Sequence, residues 1–158
     1  MDKNVKKVVD LLNQGRAREL SAILQYMAQH YELENQDFGK LAKLVKQTAI
    51  AEMKHAEAFG ERILFLGGVP TSKPDAEVKK GETISAMCAT GMALEAQATK
   101  MYNAAAVACA EAGDHVTKSL FEKILAEEED HFETFRQIKD HVDQLGATYL
   151  ATLTGEGE

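Results

Sequence analysis

Two copies of a short motif, Glu-x-x-His, occur in this sequence, at Glu52 and His55 and at Glu128 and His131. Residues three positions apart lie on the same face of a helix, so each motif would present a carboxylate beside an imidazole. Mixed oxygen and nitrogen donors of this kind suit iron or manganese, and they also accept zinc. The two motifs therefore predict a metal site.

A single glutamate, Glu19 or Glu95, precedes each motif by 33 residues, so the whole set repeats with a shift of 76 residues. A tyrosine follows each of these glutamates by seven residues, at Tyr26 and Tyr102, and repeats with the same shift. One Glu-x-x-His motif alone would be a weak signal because it is so short. Two copies, each preceded by a glutamate at the same interval, form a specific pattern.

Six of these polar residues fall in positions where a helical protein would bury apolar side chains. They are four carboxylates and two imidazoles: Glu19, Glu52, His55, Glu95, Glu128 and His131. Ionised carboxylates in a dry core would cost several kcal/mol each if they were left unpaired. Two divalent cations would balance four carboxylates and two neutral imidazoles. The pattern predicts a di-metal centre, and the alternative of buried polar residues without a metal is rare in proteins.

Four long helical segments would position these residues, because apolar side chains recur every three or four positions between a few breaks. The breaks are Asn35–Asp37, Gly67–Gly81, Gly113–Asp114 and Gly146. Asp37 and Asp114 are predicted to cap the starts of helices, and Gly113 and Gly146 to end them. The apolar segment 147–153 is predicted to form a short fifth helix.

The lengths of the connections predict the topology. The short breaks at 35–37 and 113–114 predict two antiparallel helical hairpins. The connection from Gly67 to Gly81 has 15 residues and could reach about 50 Å when extended. A helix of about 28 residues is about 42 Å long, so this connection can run the whole length of the bundle. The sequence thus predicts an all-α four-helix bundle with one long crossover, the topology of ferritin-like bundles.

Composition and charge limit the classes of function. The chain of 158 residues is long enough for one domain, predicted to span 1–158, and its net charge is −7. This charge disfavours nucleic acid or an anionic membrane as the main partner, since both attract basic surfaces. No apolar run approaches the length of a membrane span, and Met1–Lys7 lacks the apolar stretch of a signal peptide. We expect a cytoplasmic protein in which Cys88 and Cys109 are reduced core residues.

The sequence resembles the bacterioferritins over nearly its full length. The stretches that carry the resemblance are Arg18–Leu20, Leu24–Tyr26, Glu52–Glu57, Glu61–Gly68 and Glu127–His131. The resemblance implies a ferroxidase that oxidises Fe(II) with O₂ or H₂O₂. It also implies that the ferric product is stored in a shell of 24 subunits built from twofold dimers, with an electron-donor ferredoxin as a possible partner.

The resemblance also implies roles for individual residues. Glu19 and His55 would be terminal ligands of one iron, Glu95 and His131 of the other, and Glu52 and Glu128 would bridge both. Tyr26 resembles the site tyrosine of the family, as a hydrogen-bond donor or a transient electron donor. Tyr102 could equally be a core ring with a satisfied hydroxyl group.

Met53 matches the methionine that ligates haem in the bacterioferritins, with one haem shared by two subunits. It follows Glu52 by one residue, so it points about 100° away from the inward face of its helix. Some bacterioferritins bind an additional iron through a His and an Asp at the positions of Gln47 and Ala51. Neither residue here is a good iron ligand, so the resemblance does not extend to that site.

The remaining histidines, His30, His115 and His141, lie near predicted helix ends and are expected on the surface. Two other functions compete with iron storage. A rubrerythrin-like peroxidase would use a similar bundle, but it typically adds a Cys-x-x-Cys iron domain, which this sequence lacks. A haem-binding scaffold with a purely structural di-metal site is the second alternative. A mini-ferritin would place its metals between subunits and would not need all six ligands in one chain.

Overall fold

The computed structural model describes residues 1–157, which form four long helices and a short fifth one; residue 158, the last of the predicted domain, lies outside the described residues. The helices are α1 (Lys3–Asn35), α2 (Gly39–Phe65), α3 (Ile84–Glu111), α4 (His115–Leu145) and α5 (Ala147–Ala151). The predicted all-α bundle with a long crossover and a short fifth helix is confirmed.

The helix ends agree with the predictions at three of the four predicted positions. The Asp114 side chain accepts a hydrogen bond from the Thr117 backbone N–H and caps α4. Gly113 and Gly146 follow α3 and α4 with φ values of 78° and 55°, and glycine adopts this left-handed conformation without steric cost.

The prediction that Asp37 caps the start of α2 is wrong. Asp37 has a φ of 63° and donates its backbone N–H to the Glu34 carbonyl at 3.1 Å, so it ends α1 instead. Asp and Asn adopt the left-handed conformation more readily than other non-glycine residues. Phe38 stands at the N-cap position of α2 and provides no side-chain cap.

The crossover between α2 and α3 lies along α1. Near its start, Asn13 of α1 hydrogen-bonds to the backbone of Val69 and Thr71. Near its end, Gln25 of α1 hydrogen-bonds to the backbone of Lys79 in both directions. The crossover therefore runs towards the C-terminal end of α1, where α2 begins, and α3 starts there as well. As a result α2 and α3 are parallel.

The helices pack as two hairpins, α1 against α2 and α3 against α4. The core consists of two apolar clusters, one around Leu12, Phe59 and Phe121 and the other around Leu33 and Phe135. On every long helix, the two clusters occupy different stretches of sequence. The predicted ligands fall between those stretches, so the six polar residues form a layer across the middle of the bundle.

Two further predictions about side chains have different outcomes. Cys88 and Cys109 are free and buried, as predicted. The prediction that His30 is a surface residue is wrong, because its ring is buried and its Nδ1 lies 2.7 Å from the carbonyl oxygen of Ala42. His115 and His141 are exposed.

Within residues 1–157, none of the helices combines the length and the apolar character that crossing a bilayer requires.

Candidate metal centre

The four predicted glutamate ligands are completely enclosed. Glu19 and Glu52 are 0% exposed, and Glu95 and Glu128 are 1% exposed. Each comes from a different helix, at the level where the two apolar clusters meet. Helical periodicity explains this placement, since each glutamate continues a stripe of core residues along its helix.

The potential ligand atoms form two overlapping groups. One group contains Glu19, Glu52, His55 and Glu128, and the other contains Glu52, Glu95, Glu128 and His131. In each group the four ligand atoms lie within 4.8 Å of one another. Glu52 and Glu128 belong to both groups, so this geometry can hold two cations with two carboxylates between them.

Both imidazole rings direct the same nitrogen atom, Nδ1, to this layer. Nδ1 of His55 lies 3.0 Å from Glu52 Oε2 and 3.0 Å from Glu128 Oε1. Nδ1 of His131 lies 3.0 Å from Glu52 Oε1 and 3.6 Å from Glu95 Oε1. The two rings are stacked with their centroids 6.1 Å apart. The Glu-x-x-His spacing thus places each ring over the carboxylates, as the helical geometry predicts.

The two tyrosines that repeat with the ligands are bound crosswise between α1 and α3. Tyr26 on α1 donates its hydroxyl to Glu95 Oε1 at 2.6 Å, and Tyr102 on α3 donates to Glu19 Oε1 at 2.7 Å. Both rings are fully buried. Both tyrosines were identified from the sequence as part of the repeat, but a role in the site was predicted for Tyr26 alone. The 76-residue repeat was the signal that could have assigned Tyr102 the equivalent contact.

The other oxygen of each lone glutamate has no hydrogen-bond donor among residues 1–157. These atoms are Glu19 Oε2 and Glu95 Oε2, and both are buried. An unpaired buried carboxylate oxygen costs free energy, and proteins rarely retain one without a reason. Two orphaned oxygens at equivalent places, beside two shared carboxylates and two imidazoles, fit a pair of iron ions.

The electrostatics of the histidines also indicate a cation site. Burial opposes the charged form of His55, but hydrogen bonds with Glu128 and Glu19 raise its pKa to about 11. For His131, burial again opposes the charge, and hydrogen bonds with Glu128 and Glu95 raise its pKa to about 10. The carboxylates therefore stabilise positive charge in the core by more than burial disfavours it.

The carboxylates share the remaining negative charge unequally. Burial raises the pKa of Glu52 well above its usual range, and repulsion from Glu19 adds to the effect. Burial also raises the pKa of Glu95. Burial pushes the pKa of Glu128 in the same direction, but hydrogen bonds with the two imidazoles lower it overall. Without metal, the carboxylates of the centre thus bind protons where they would otherwise bind a metal cation.

A cleft of about 650 Å³ between α2 and α4 leads from the surface to both imidazoles. Glu127 lies at this opening, where its Oε2 hydrogen-bonds to Nε2 of His55. Its side chain is 47% exposed. Sequence reasoning missed Glu127, since nothing in a run of three consecutive glutamates distinguishes it from a solvated surface residue.

Met53 lies on a different face of α2 from the carboxylate layer. It is 52% exposed and lines a shallow groove together with Leu20, Ile23 and Leu64. The prediction that Met53 and Glu52 face in different directions therefore agrees with their burial. The groove offers a thioether sulfur beside an apolar surface.

Comparisons with known proteins identify the family. The family model of the ferritin-like domain matches residues 9–145. The bacterioferritin of Desulfovibrio desulfuricans is 43% identical over 149 residues, which are 94% of this chain and 83% of that protein. This chain belongs to the bacterioferritin family. A bacterioferritin of Rhodobacter capsulatus is 36% identical over 93% of this chain and 91% of its own length.

Solved bacterioferritin structures have the same fold. The X-ray structure of the Desulfovibrio desulfuricans protein, described for its diiron site in different catalytic states, matches with a TM-score of 0.95 and 42% identity. The match covers 98% of this chain and 90% of that one. Mycobacterium tuberculosis BfrA matches with a TM-score of 0.91 and 30% identity over 98% of this chain and 96% of its own. Family membership and the two ligand groups together support iron storage and a di-iron site.

Proposed function

We propose that this bacterioferritin forms one ferritin-like domain over residues 1–158 and works as a ferroxidase. It would oxidise Fe(II) with O₂ or H₂O₂ at the buried centre and store the ferric product in a shell of 24 subunits. The observation that carries the proposal is the pair of overlapping ligand groups, four atoms each, within a single chain. A site made by one chain can bind two metal ions in every subunit of an assembly.

The geometry supports a division of roles among the ligands. We assign Glu52 and Glu128 as bridging ligands because both belong to the two groups. The terminal ligands are Glu19 and His55 for one metal, and Glu95 and His131 for the other. Iron, when bound there, supplies the electrons that reduce the oxidant.

The protein residues orient the ligands and handle protons. Tyr26 and Tyr102 each donate to one oxygen of a terminal glutamate, and the second oxygen of that glutamate has no donor among residues 1–157 and would be available to a metal ion. The imidazoles carry protons at neutral pH because their pKa values are raised to about 11 and about 10. Fe(II) must displace these protons from Nδ1, and the cleft beside Glu127 provides the path by which ions and protons pass.

The outer face of α2 fits the proposed shared haem. Met53 offers its sulfur, and Leu20, Ile23 and Leu64 contribute apolar side chains to a groove that charged residues also line. A twofold axis beside this groove would bring two methionines to one haem, which gives one haem for two subunits. The haem would supply a route for electrons that reduce stored iron.

Large apolar side chains on the outer surface support assembly. Tyr31, Leu64 and Phe65 are 64%, 63% and 77% exposed, and exposed apolar side chains can serve as contacts between protein copies. Burial between copies of this chain accounts for them, and a twofold dimer is the expected building unit of the shell. The two free, buried cysteines fit a cytoplasmic location.

Stopped-flow oxidation of Fe(II) tests the proposal against a haem-binding scaffold with an inert metal site. The wild-type protein should give a rapid phase on mixing with Fe(II) and O₂, and Glu128→Ala should lose it. Glu129→Ala, which changes an exposed neighbour on the same helix, is the matched control. A Glu128→Ala protein that oxidises Fe(II) as fast as the wild type would refute the assignment.

A further inference from the structure

Among residues 1–157, Glu127 forms a hydrogen bond with one of the two histidines that are candidate metal ligands, His55, and not with the other, His131. Its Oε2 hydrogen-bonds to Nε2 of His55, while Nδ1 of the same ring faces the carboxylate layer. A carboxylate on the outer nitrogen of a metal-binding histidine fixes which nitrogen carries the proton and how the ring is oriented. Glu127 is therefore a positioning residue for His55, not a member of either ligand group.

The other half of the centre lacks this contact. The 76-residue shift that relates the ligands of the two halves places Ala51 at the position equivalent to Glu127. Alanine has no group that can reach the outer nitrogen of His131. Within residues 1–157, the hydrogen bonds of His131 involve only Nδ1. The two ligand groups have the same composition, but only one has a supported imidazole.

The surroundings of Glu127 leave it free to support His55. Lys54 and Lys123 line the same cleft, yet neither forms an ion pair with Glu127 among the described residues. Asp130, also at the cleft, adds negative charge but forms no hydrogen bond or ion pair with His55 among residues 1–157. The His55 ring is thus the group that Glu127 binds.

From this asymmetry we propose that the two metal positions are unequal, and that Glu127 makes them so. The position formed with Glu19 and His55 fills first and binds more tightly, and the position formed with Glu95 and His131 fills second. Loss of a carboxylate on a ligating histidine typically lowers metal affinity about 10- to 100-fold. The inference rests on the proposed di-metal site and adds an order of filling to it.

Titration of the metal-stripped protein with Co(II), followed by calorimetry and by visible absorption, tests this inference without any turnover. The wild type should bind one Co(II) per chain and then a second one about 10- to 100-fold more weakly. Glu127→Ala should weaken the first step to about the affinity of the second. Glu127→Gln keeps a carbonyl oxygen that can accept from Nε2, so it should restore most of the difference between the steps.

Two matched variants separate positioning from a general loss of structure. Glu129→Ala removes an exposed carboxylate from the same helix and should leave both steps unchanged. Ala51→Glu places a carboxylate at the equivalent point of the other half and should tighten the weaker step without adding a third Co(II) per chain. A merely structural defect would lower both steps together and would not be rescued by glutamine.

The outcomes distinguish this inference from the proposed function. Wild-type protein that binds no Co(II) in the core would contradict the di-metal site itself. Two equal steps in the wild type, unchanged steps in Glu127→Ala, or an unchanged weaker step in Ala51→Glu would overturn the inference alone. Loss of a third Co(II) in Glu127→Ala would also overturn it, because Glu127 would then be a ligand.

Discussion

The α1–α2 half and the α3–α4 half of the bundle contribute the same chemistry to its centre. Each supplies a lone glutamate, a tyrosine seven residues later, and a Glu-x-x-His motif, in the same order and at the same intervals. The hydrogen bonds repeat as well, since each tyrosine binds the lone glutamate of the other half. The interior of the bundle is thus nearly symmetric.

The halves differ at the cleft that leads to the centre. Besides His55 and His131, which are identical, three pairs of equivalent positions line it and differ in residue type: Gln47 and Lys123, Ala51 and Glu127, and Lys54 and Asp130. Charge balance restricts the buried ligands, because removal of one charged group leaves an uncompensated charge in the core. The residues at the opening are solvated and carry no such restriction. The differences between these residues make the two halves of the site unequal, although the ligands alone would be equivalent.

Removal of a bridging carboxylate should have the largest effect. Glu128→Ala and its repeat equivalent Glu52→Ala should each lower the rate of rapid Fe(II) oxidation by more than about 100-fold, beyond the range for an outer contact. Both residues belong to both ligand groups, so the two losses should be similar. Stopped-flow rates measure this, and a loss in only one variant would mean that the two halves do not share their carboxylates.

The pH dependence of metal binding should be the next largest effect. The raised pKa values of His55 and His131, about 11 and about 10, mean that both rings are in the charged form, with a proton on each nitrogen, at pH 6 to 8. Metal binding must displace these protons, so affinity should rise as pH rises. One displaced proton per metal gives about tenfold for each pH unit. Co(II) titrations at three pH values measure the slope, and a slope of zero would contradict protonated ligands.

The tyrosines should have smaller and matched effects. Tyr26→Phe or Tyr102→Phe leaves a buried glutamate oxygen without its donor, at a cost of about 1 to 3 kcal/mol in stability. Thermal unfolding of the metal-stripped protein should show similar losses for both variants. If the two losses differ greatly, the two crosswise hydrogen bonds do not contribute equally to the free energy of unfolding. Slower Fe(II) oxidation in Tyr26→Phe alone would separate electron donation by Tyr26 from the hydrogen bonding that both tyrosines share.

Met53→Leu should have the smallest effect on the centre. The substitution keeps an apolar side chain of similar size on the outer face of α2 but removes the sulfur. We expect loss of haem absorption bands, with the assembly and the rate of Fe(II) oxidation retained. An absorption spectrum measures the haem, a size measurement the assembly and stopped-flow mixing the rate, and the wild type should hold one haem per two subunits. Haem retained in Met53→Leu would show that its ligand lies elsewhere.

The interior of the fold could be predicted from the sequence because burial and helical periodicity act together. Glu19 and Glu95 stand out only against the apolar residues of their stripes, and the structure places both in the core. The crossover was predictable because the 15 residues from Gly67 to Gly81 are enough to run the whole length of the bundle. These features depend on patterns that extend over a whole helix.

Local and surface features were harder to predict. Asp37 is of a residue type that often caps the start of a helix, but its backbone adopts the left-handed conformation at the end of α1. His30 lies near a helix end in the sequence, yet α2 covers it and accepts its hydrogen bond. Glu127 resembles its exposed neighbours until the cleft places it beside His55. Each of these depends on contacts between helices that no single segment encodes.

Fe(II) titration of the metal-stripped protein in the presence of O₂ tests the central claim most directly. The amplitude of the rapid oxidation phase should rise with added Fe(II) and level off at two Fe(II) per chain, one for each ligand group. The same titration of Glu128→Ala should show no rapid phase. A rapid phase that levels off at one Fe(II) per chain, or that persists in Glu128→Ala, would contradict a centre in which two irons share Glu52 and Glu128.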